Sequence, residues 1–190
     1  MDIFEALYAR RTIRKFSRKP IDRSILYKLI DYARLAPSAA NLQPIKYAVI
    51  DTEEMTEKVF PLTKWAGYEP KAAPSKGEEP TAYIAVLGDN SVSKTTQSCD
   101  CGLAMAAICY AAVGMGLGSC ILGAIDREKI AALLELGENL QVLYLIALGY
   151  PAQESEAIDA AEDIKYYLKE DKLYVPKRTS EQIIINYREK

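Results

Sequence analysis

The sequence contains no histidine. Ser-His and Cys-His nucleophile pairs, an imidazole general base and every imidazole metal site are thereby excluded. Cysteine is scarce and confined: Cys99, Cys101, Cys109 and Cys120 leave the first half of the chain and the last 70 residues without a thiol. A disulfide framework spreads its cysteines across a fold, so these read as free thiols of a reducing compartment. Cys99 and Cys101 are one residue too close for a redox CxxC, and no second pair closes a zinc site. Buried, inert thiols and no bound metal are expected. A bulk excess of charge is also missing. The 24 Lys and Arg against 26 Asp and Glu give a net charge of −2, which speaks against a nucleic-acid binder. The opening MDIFEALYARR lacks the basic-then-apolar order of a secretory signal. One charge-free run, Cys101 to Ile125, is long enough to cross a bilayer. Gly114, Gly116 and Gly118 interrupt it, and its first part is rich in alanine. A buried helix, a glycine turn and a buried strand are expected there, with no membrane contact and a cytoplasmic location.

What is present suits a globular fold. The 190 residues are 49% apolar and 26% charged, enough for one domain with a real core. Asp2 to Ala9 reads as a short helix with Ile3, Phe4, Leu7 and Tyr8 on one face. Asp22 caps a second helix carrying Ile25, Leu26, Leu29, Ile30 and Ala33 at helical spacing, ended by Pro37. Strands are expected at Tyr47–Ile50, Tyr83–Leu87, Cys120–Ile125 and Val142–Leu148. A helix is expected from Glu53 to Ala66, broken near Pro61, and another from Asp126 to near Gly137. Gly67 to Pro80, with its prolines and mixed charge, reads as a mobile surface loop. Ile164–Leu168 and Leu173–Val175 flank a polar turn and suggest a hairpin. Thr179-Ser180-Glu181-Gln182 looks like a capping box opening a terminal helix. The mixed order gives an α+β sheet covered by helices, with residues 152–190 as an arm suited to a second subunit.

Three constellations could carry chemistry. Arg10, Arg11, Arg14, Lys15, Arg18 and Lys19 form a basic run with no acid between them. A solvated charge run would explain it, and so would a pocket for one small phosphorylated ligand. In an extended segment Arg10, Thr12 and Arg14 share a face, and two guanidinium forks with a hydroxyl suit a phosphate monoester. Ala36-Pro37-Ser38-Ala39-Ala40-Asn41-Leu42-Gln43-Pro44 is rich in turn formers. It also offers amide and hydroxyl groups that could read the edge of a polar heterocycle. Gly114-Met115-Gly116-Leu117-Gly118-Ser119 follows a helix and precedes a strand, the wrong order for a dinucleotide fingerprint. It is either a glycine-rich helix end or a place where bare backbone admits a flat ligand.

These segments, with Leu148-Gly149-Tyr150-Pro151 and Val175-Pro176-Lys177-Arg178, resemble the FMN-dependent nitroreductase family nearly end to end. The resemblance implies an α+β three-layer sandwich. A central, mainly antiparallel sheet would be covered by helices, in a single domain over 1–190 whose arm packs on the second subunit of a homodimer. It implies bound FMN at the subunit interface. Arg10, Thr12 and Arg14, with Arg11 beside them, would hold the phosphate and ribityl chain, and Lys177 and Arg178 would return to the phosphate from the arm. Pro37, Ser38, Ala39, Asn41 and Gln43 would touch the ring or ribityl from the other side of the interface, and the backbone at Leu122 and Gly123 would lie near flavin N5. The flavin would carry the chemistry, so no side chain need be acid or base. The implied reaction passes hydride from NADH or NADPH to a small flat acceptor such as a nitroaromatic or quinone, by a ping-pong scheme. A reductive dehalogenase-like reaction and a non-enzymatic flavin-binding redox sensor using Cys99 and Cys101 are the alternatives. The sequence departs from the family at Ile45, where tryptophan is frequent, and at Thr12, where serine is common.

Overall fold

The first turn of the chain closes on itself. In the computed structural model, which describes residues 1–185, the backbone N–H of Asp2 donates to Glu5 and that of Glu5 to Asp2, each at 2.8 Å. This capping box opens α1 (Ile3–Ala9). Only Ala6 of α1 is buried; the expected apolar face of Ile3, Phe4, Leu7 and Tyr8 lies exposed on the isolated chain. Asp22 accepts from the Ser24 N–H at 2.7 Å and starts α2 (Arg23–Ala33), which buries Leu26, Leu29 and Ala33. A single 3-10 turn at Ala39–Asn41 leads into β1 (Ile45–Ile50). The next helix is shorter than expected: α3 (Glu53–Val59) passes into a 3-10 turn, Phe60–Leu62, because Pro61 has no N–H to continue the ladder.

Then follow β2 (Ala82–Asp89), α4 (Gln97–Gly114), β3 (Gly118–Leu122), α5 (Arg127–Leu133) and β4 (Leu140–Gly149). The charge-free run is thus a helix, a turn and a strand, and among the described residues no helix is long and apolar enough to cross a membrane. The strand begins and ends earlier than expected. Ile125 is left with a single bridge to Thr63.

Strands pair in the order β1-β2-β4-β3, antiparallel throughout. Side chains of β2 alternate between two cores, as the period of a strand requires. Ala82, Ile84 and Val86 join Leu26, Leu29, Cys101 and Ile108 from α2 and α4. Tyr83, Ala85 and Leu87 join Val59, Ile130, Ile13 and Phe16 on the opposite face. The molecule is therefore a three-layer α+β sandwich with an antiparallel sheet in the middle.

The chain after Pro151 forms a second sheet. β5 (Glu154–Asp159) runs parallel to β7 (Lys172–Lys177), and β6 (Tyr167–Lys169) pairs antiparallel with β7. The hairpin was expected; β5 was not. Its acids alternate with small residues, so only pairing with β7 makes it a strand. Leu173 is fully buried against Ala66 and Ala72, and a 3-10 turn covers Pro70–Ala72. The segment read as a mobile loop is thus anchored from beneath, and residues 154–177 of the arm pack on their own chain. Beyond them, α6 (Ser180–Ile183) is a single turn in which Gln182 accepts from the Thr179 N–H at 3.0 Å. The expected terminal helix stops there, because Ile184 is extended (φ −83°, ψ 126°); residues 186–190 lie outside the described residues.

Candidate functional site

The basic run is positioned by its apolar neighbours. Between α1 and α2 the chain is extended along the sheet margin. Thr12 bridges Ser119, Phe16 bridges Pro151, and the Ile13 N–H donates to the Ser119 carbonyl at 3.0 Å. Ile13 and Phe16 turn inward. Two glycines make room for them: a Cβ on Gly118 would lie 2.8 Å from Ile13, and one on Gly149 would lie 2.7 Å from the Phe16 ring. The bare backbone at Gly118 therefore receives the chain's own Ile13, and of the two readings of the glycine stretch the flat-ligand one does not apply at this position.

With those two side chains buried, Arg10, Arg11 and Arg14 face outward into a pocket of about 470 Å³, while Lys15 pairs with Glu78 at 3.3 Å and Lys19 lies over the Tyr150 ring. Arg10, Arg11, Thr12 and Arg14 line one side, and Lys177 and Arg178 the other. Among the described residues no acid lines this pocket. Arg11 joins the set although it lies out of step with the alternation of Arg10, Thr12 and Arg14. Burial, and then the adjacent charge of Arg10, push its guanidinium below its ordinary value. Like charges crowded into a half-covered pocket favour an anion. Arg18 is elsewhere, paired with Glu53 at 2.9 Å and Glu79 at 3.7 Å.

Sequence reasoning missed two residues that shape this pocket. The Arg14 guanidinium lies over the Tyr166 ring, 4.4 Å from its centre. The Tyr166 hydroxyl accepts from the Tyr68 N–H at 3.3 Å, and the two rings are 5.4 Å apart. The Arg14 N–H donates to Gln153 Oε1 at 3.2 Å. Neither position carries a sequence signal, since both come from the arm.

The second constellation builds a separate, smaller pocket of about 140 Å³, lined by Pro37, Ser38 and Gln43 with Tyr47 and Asp100. Ala39 and Asn41 lie in the adjoining 3-10 turn. The two pockets share no lining residue. Leu122 and Gly123 belong to neither. Leu122 is buried at the end of β3, and the Gly123 carbonyl accepts from Arg127 at 3.0 Å.

Three thiols are buried and one is not. Cys101, Cys109 and Cys120 are interior, whereas Cys99 is exposed, contrary to expectation. Cys99 stands on the outer face of α4. Burial pushes the Cys101 thiol up to about 11 and the Cys120 thiol up to about 12. Among the described residues no group of three potential ligands could hold a metal ion.

The sequence pattern of the Nitroreductase family matches residues 7–150. The chain belongs to the nitroreductase family. A relative from Archaeoglobus fulgidus, named as an NADH dehydrogenase/NAD(P)H nitroreductase, is 32% identical over 166 residues, 84% of this chain and 91% of the relative. A like-named protein from Parabacteroides distasonis shares the fold, with a TM-score of 0.74 over 97% of both chains at 23% identity. A nitroreductase from Exiguobacterium sibiricum, solved in complex with FMN, superposes with a TM-score of 0.69 over 80% of this chain and 90% of its own at 22% identity.

Proposed function

We propose that this chain is an FMN-dependent NAD(P)H oxidoreductase, acting as a homodimer on a small flat acceptor such as a nitroaromatic or quinone. One observation carries the reading: five cations from segments far apart in sequence meet in a pocket that no acid lines among the described residues. Their chemistry fits the cofactor's phosphate, a dianion at neutral pH that relieves the crowding of Arg10 and Arg11 and accepts bidentate bonds from guanidinium forks. The relatives named for NAD(P)H nitroreduction and solved with FMN support it further.

Arg10, Thr12, Arg14, Lys177 and Arg178, with Arg11, hold the phosphate end. Pro37, Ser38, Ala39, Asn41 and Gln43 of a second copy hold the ring. This division accounts for two pockets that share no lining residue. Leu122 and Gly123 present backbone to the ring from within the sheet margin. When bound, FMN supplies the hydride-carrying centre between reduced nicotinamide and acceptor. The chain contributes placement and charge, with no side chain required as acid or base. The exposed Ile3, Phe4, Leu7 and Tyr8 of α1, with Ile183, Ile184 and Ile185, offer the apolar surface that an obligate dimer covers. We place the protein in the cytoplasm, where free thiols persist.

Purified protein should be yellow and should bleach when NADH or NADPH is added without oxygen. A colourless protein that does not take up FMN overturns the reading. If donor and acceptor share one ring face, they must bind in turn. Initial rates at several acceptor concentrations should give parallel double-reciprocal lines, and intersecting lines would defeat the shared face.

A further inference from the structure

Asp100 sits in the first turn of α4 and is 3% exposed. It is the last charge before the run of uncharged residues that fills the core. Burying a carboxylate requires donors for its oxygens, and both donors come from one loop. The Ser38 hydroxyl donates to Oδ2 at 2.6 Å, and the Ala39 N–H donates to Oδ1 at 3.1 Å. The chain continues from there. Ser38 Oγ accepts from the Gln43 N–H at 2.9 Å, and the Gln43 amide donates to the Asn41 carbonyl at 3.2 Å and to Asn41 Oδ1 at 3.1 Å.

The loop so held is strained. Ala40, Asn41 and Gln43 have φ of 48°, 55° and 55°, the left-handed region that residues with a Cβ adopt reluctantly. Three such residues within four positions persist only where surrounding bonds over-determine them. The loop itself lies outside the core, with Ser38, Ala39, Ala40, Asn41 and Gln43 not fully buried, so packing does not impose the shape. Hydrogen bonds do: the Asn41 and Leu42 N–H groups donate to the Ser38 and Ala39 carbonyls at 2.9 and 3.1 Å, and the Ser38 hydroxyl and Ala39 N–H anchor the turn to Asp100.

The geometry points to Asp100 as a positioning residue: through Ser38 and Ala39 it sets the shape in which the Pro37–Gln43 loop presents its polar groups to the flavin ring. This rests on the flavin reading above. Asp100 need not touch the flavin. Its partners are the loop's hydroxyl and amide groups, and the phosphate pocket is built by other residues.

That separation gives the test. Full-length protein freed of flavin is titrated with FMN and with riboflavin, which has the ring and ribityl chain but no phosphate. Asp100→Asn keeps the shape and loses one acceptor oxygen. It should weaken FMN and riboflavin by the same factor, about tenfold, the loss expected for a charge-assisted bond, and shift the visible absorption bands of the bound ring. Arg14→Ala should weaken FMN by a much larger factor than riboflavin. If Asp100→Asn lowers only the melting temperature, with both affinities and the bound spectrum as in the parent, Asp100 is merely structural and the proposal fails. If Asp100→Asn does not fold, Ser38→Ala breaks the same relay from the loop side and must reproduce the equal loss; unchanged affinities there overturn the proposal. A parent protein that binds neither flavin overturns the flavin reading itself, and this inference with it.

Discussion

Arg11 shows at one position why the pocket asks for an anion. Its guanidinium is partly desolvated, stands beside Arg10 and has its charge disfavoured by both. The charge and acceptor oxygens of a bound phosphate would offset both costs. Arg10→Ala and Arg14→Ala should each weaken FMN by roughly 10- to 100-fold, as expected for a lost charge-assisted bond of about 1.5–3 kcal/mol. Arg18→Ala should have little effect on FMN, since Arg18 is engaged with Glu53 and Glu79 away from the pocket. Equal losses at all three positions, measured by fluorescence titration, would show a diffuse patch. Tyr166→Leu removes the ring beneath Arg14 and should weaken FMN about two- to fivefold, the effect of a partly exposed cation–π contact. Tyr166→Phe should retain parent affinity. The thiols set a pH limit. Burial raises Cys101 to about 11 and Cys120 to about 12, so above about pH 9 the unfolded chain loses these protons before the folded one does. Stability should then fall as pH rises from 9 through 11, while below pH 8 these groups give no slope. Urea midpoints across that range check it, and Cys101→Ala should flatten the decline.

At the scale of elements, the cationic pocket depends on a strap clipped to the sheet margin by Ile13 and Phe16. Gly149→Ala places a methyl 2.7 Å from the Phe16 ring. It should cost about 1–3 kcal/mol, the range for overpacking, and should weaken FMN as well by shifting Arg14. A urea melt and a flavin titration on the same sample read the two effects. Much of this architecture is legible in the sequence. α2 declares itself by Asp22 and its apolar spacing, β2 by a continuous apolar run, and one wall of the cationic pocket by the basic run that supplies Arg10, Arg11 and Arg14. What is not legible depends on partners distant in sequence. β5 is a strand only because β7 lies beside it, and Gln153 meets Arg14 across 139 positions. Asp100 meets Ser38 across 62, although a lone carboxylate at the edge of a charge-free run was a usable signal. The periodicity of α1 shows that it has an apolar face, and says nothing about which surface covers it.

At the scale of the molecule, the proposed homodimer would join the two pockets of one chain to those of its partner and give two shared sites. The dimer should therefore survive dilution into the nanomolar range, and a sedimentation run showing FMN travelling with monomer would refute the shared site. The same division has a genetic reading. A chain damaged at Arg14 and a chain damaged at Ser38 carry lesions in opposite halves of the site. When the two are co-expressed, a mixed pair assembles one site from both intact halves and one from both damaged halves. With random pairing of equal amounts, about a quarter of all sites become whole. Two alleles that are each inactive alone should then complement in the same cell, while two alleles damaged in the same half should not.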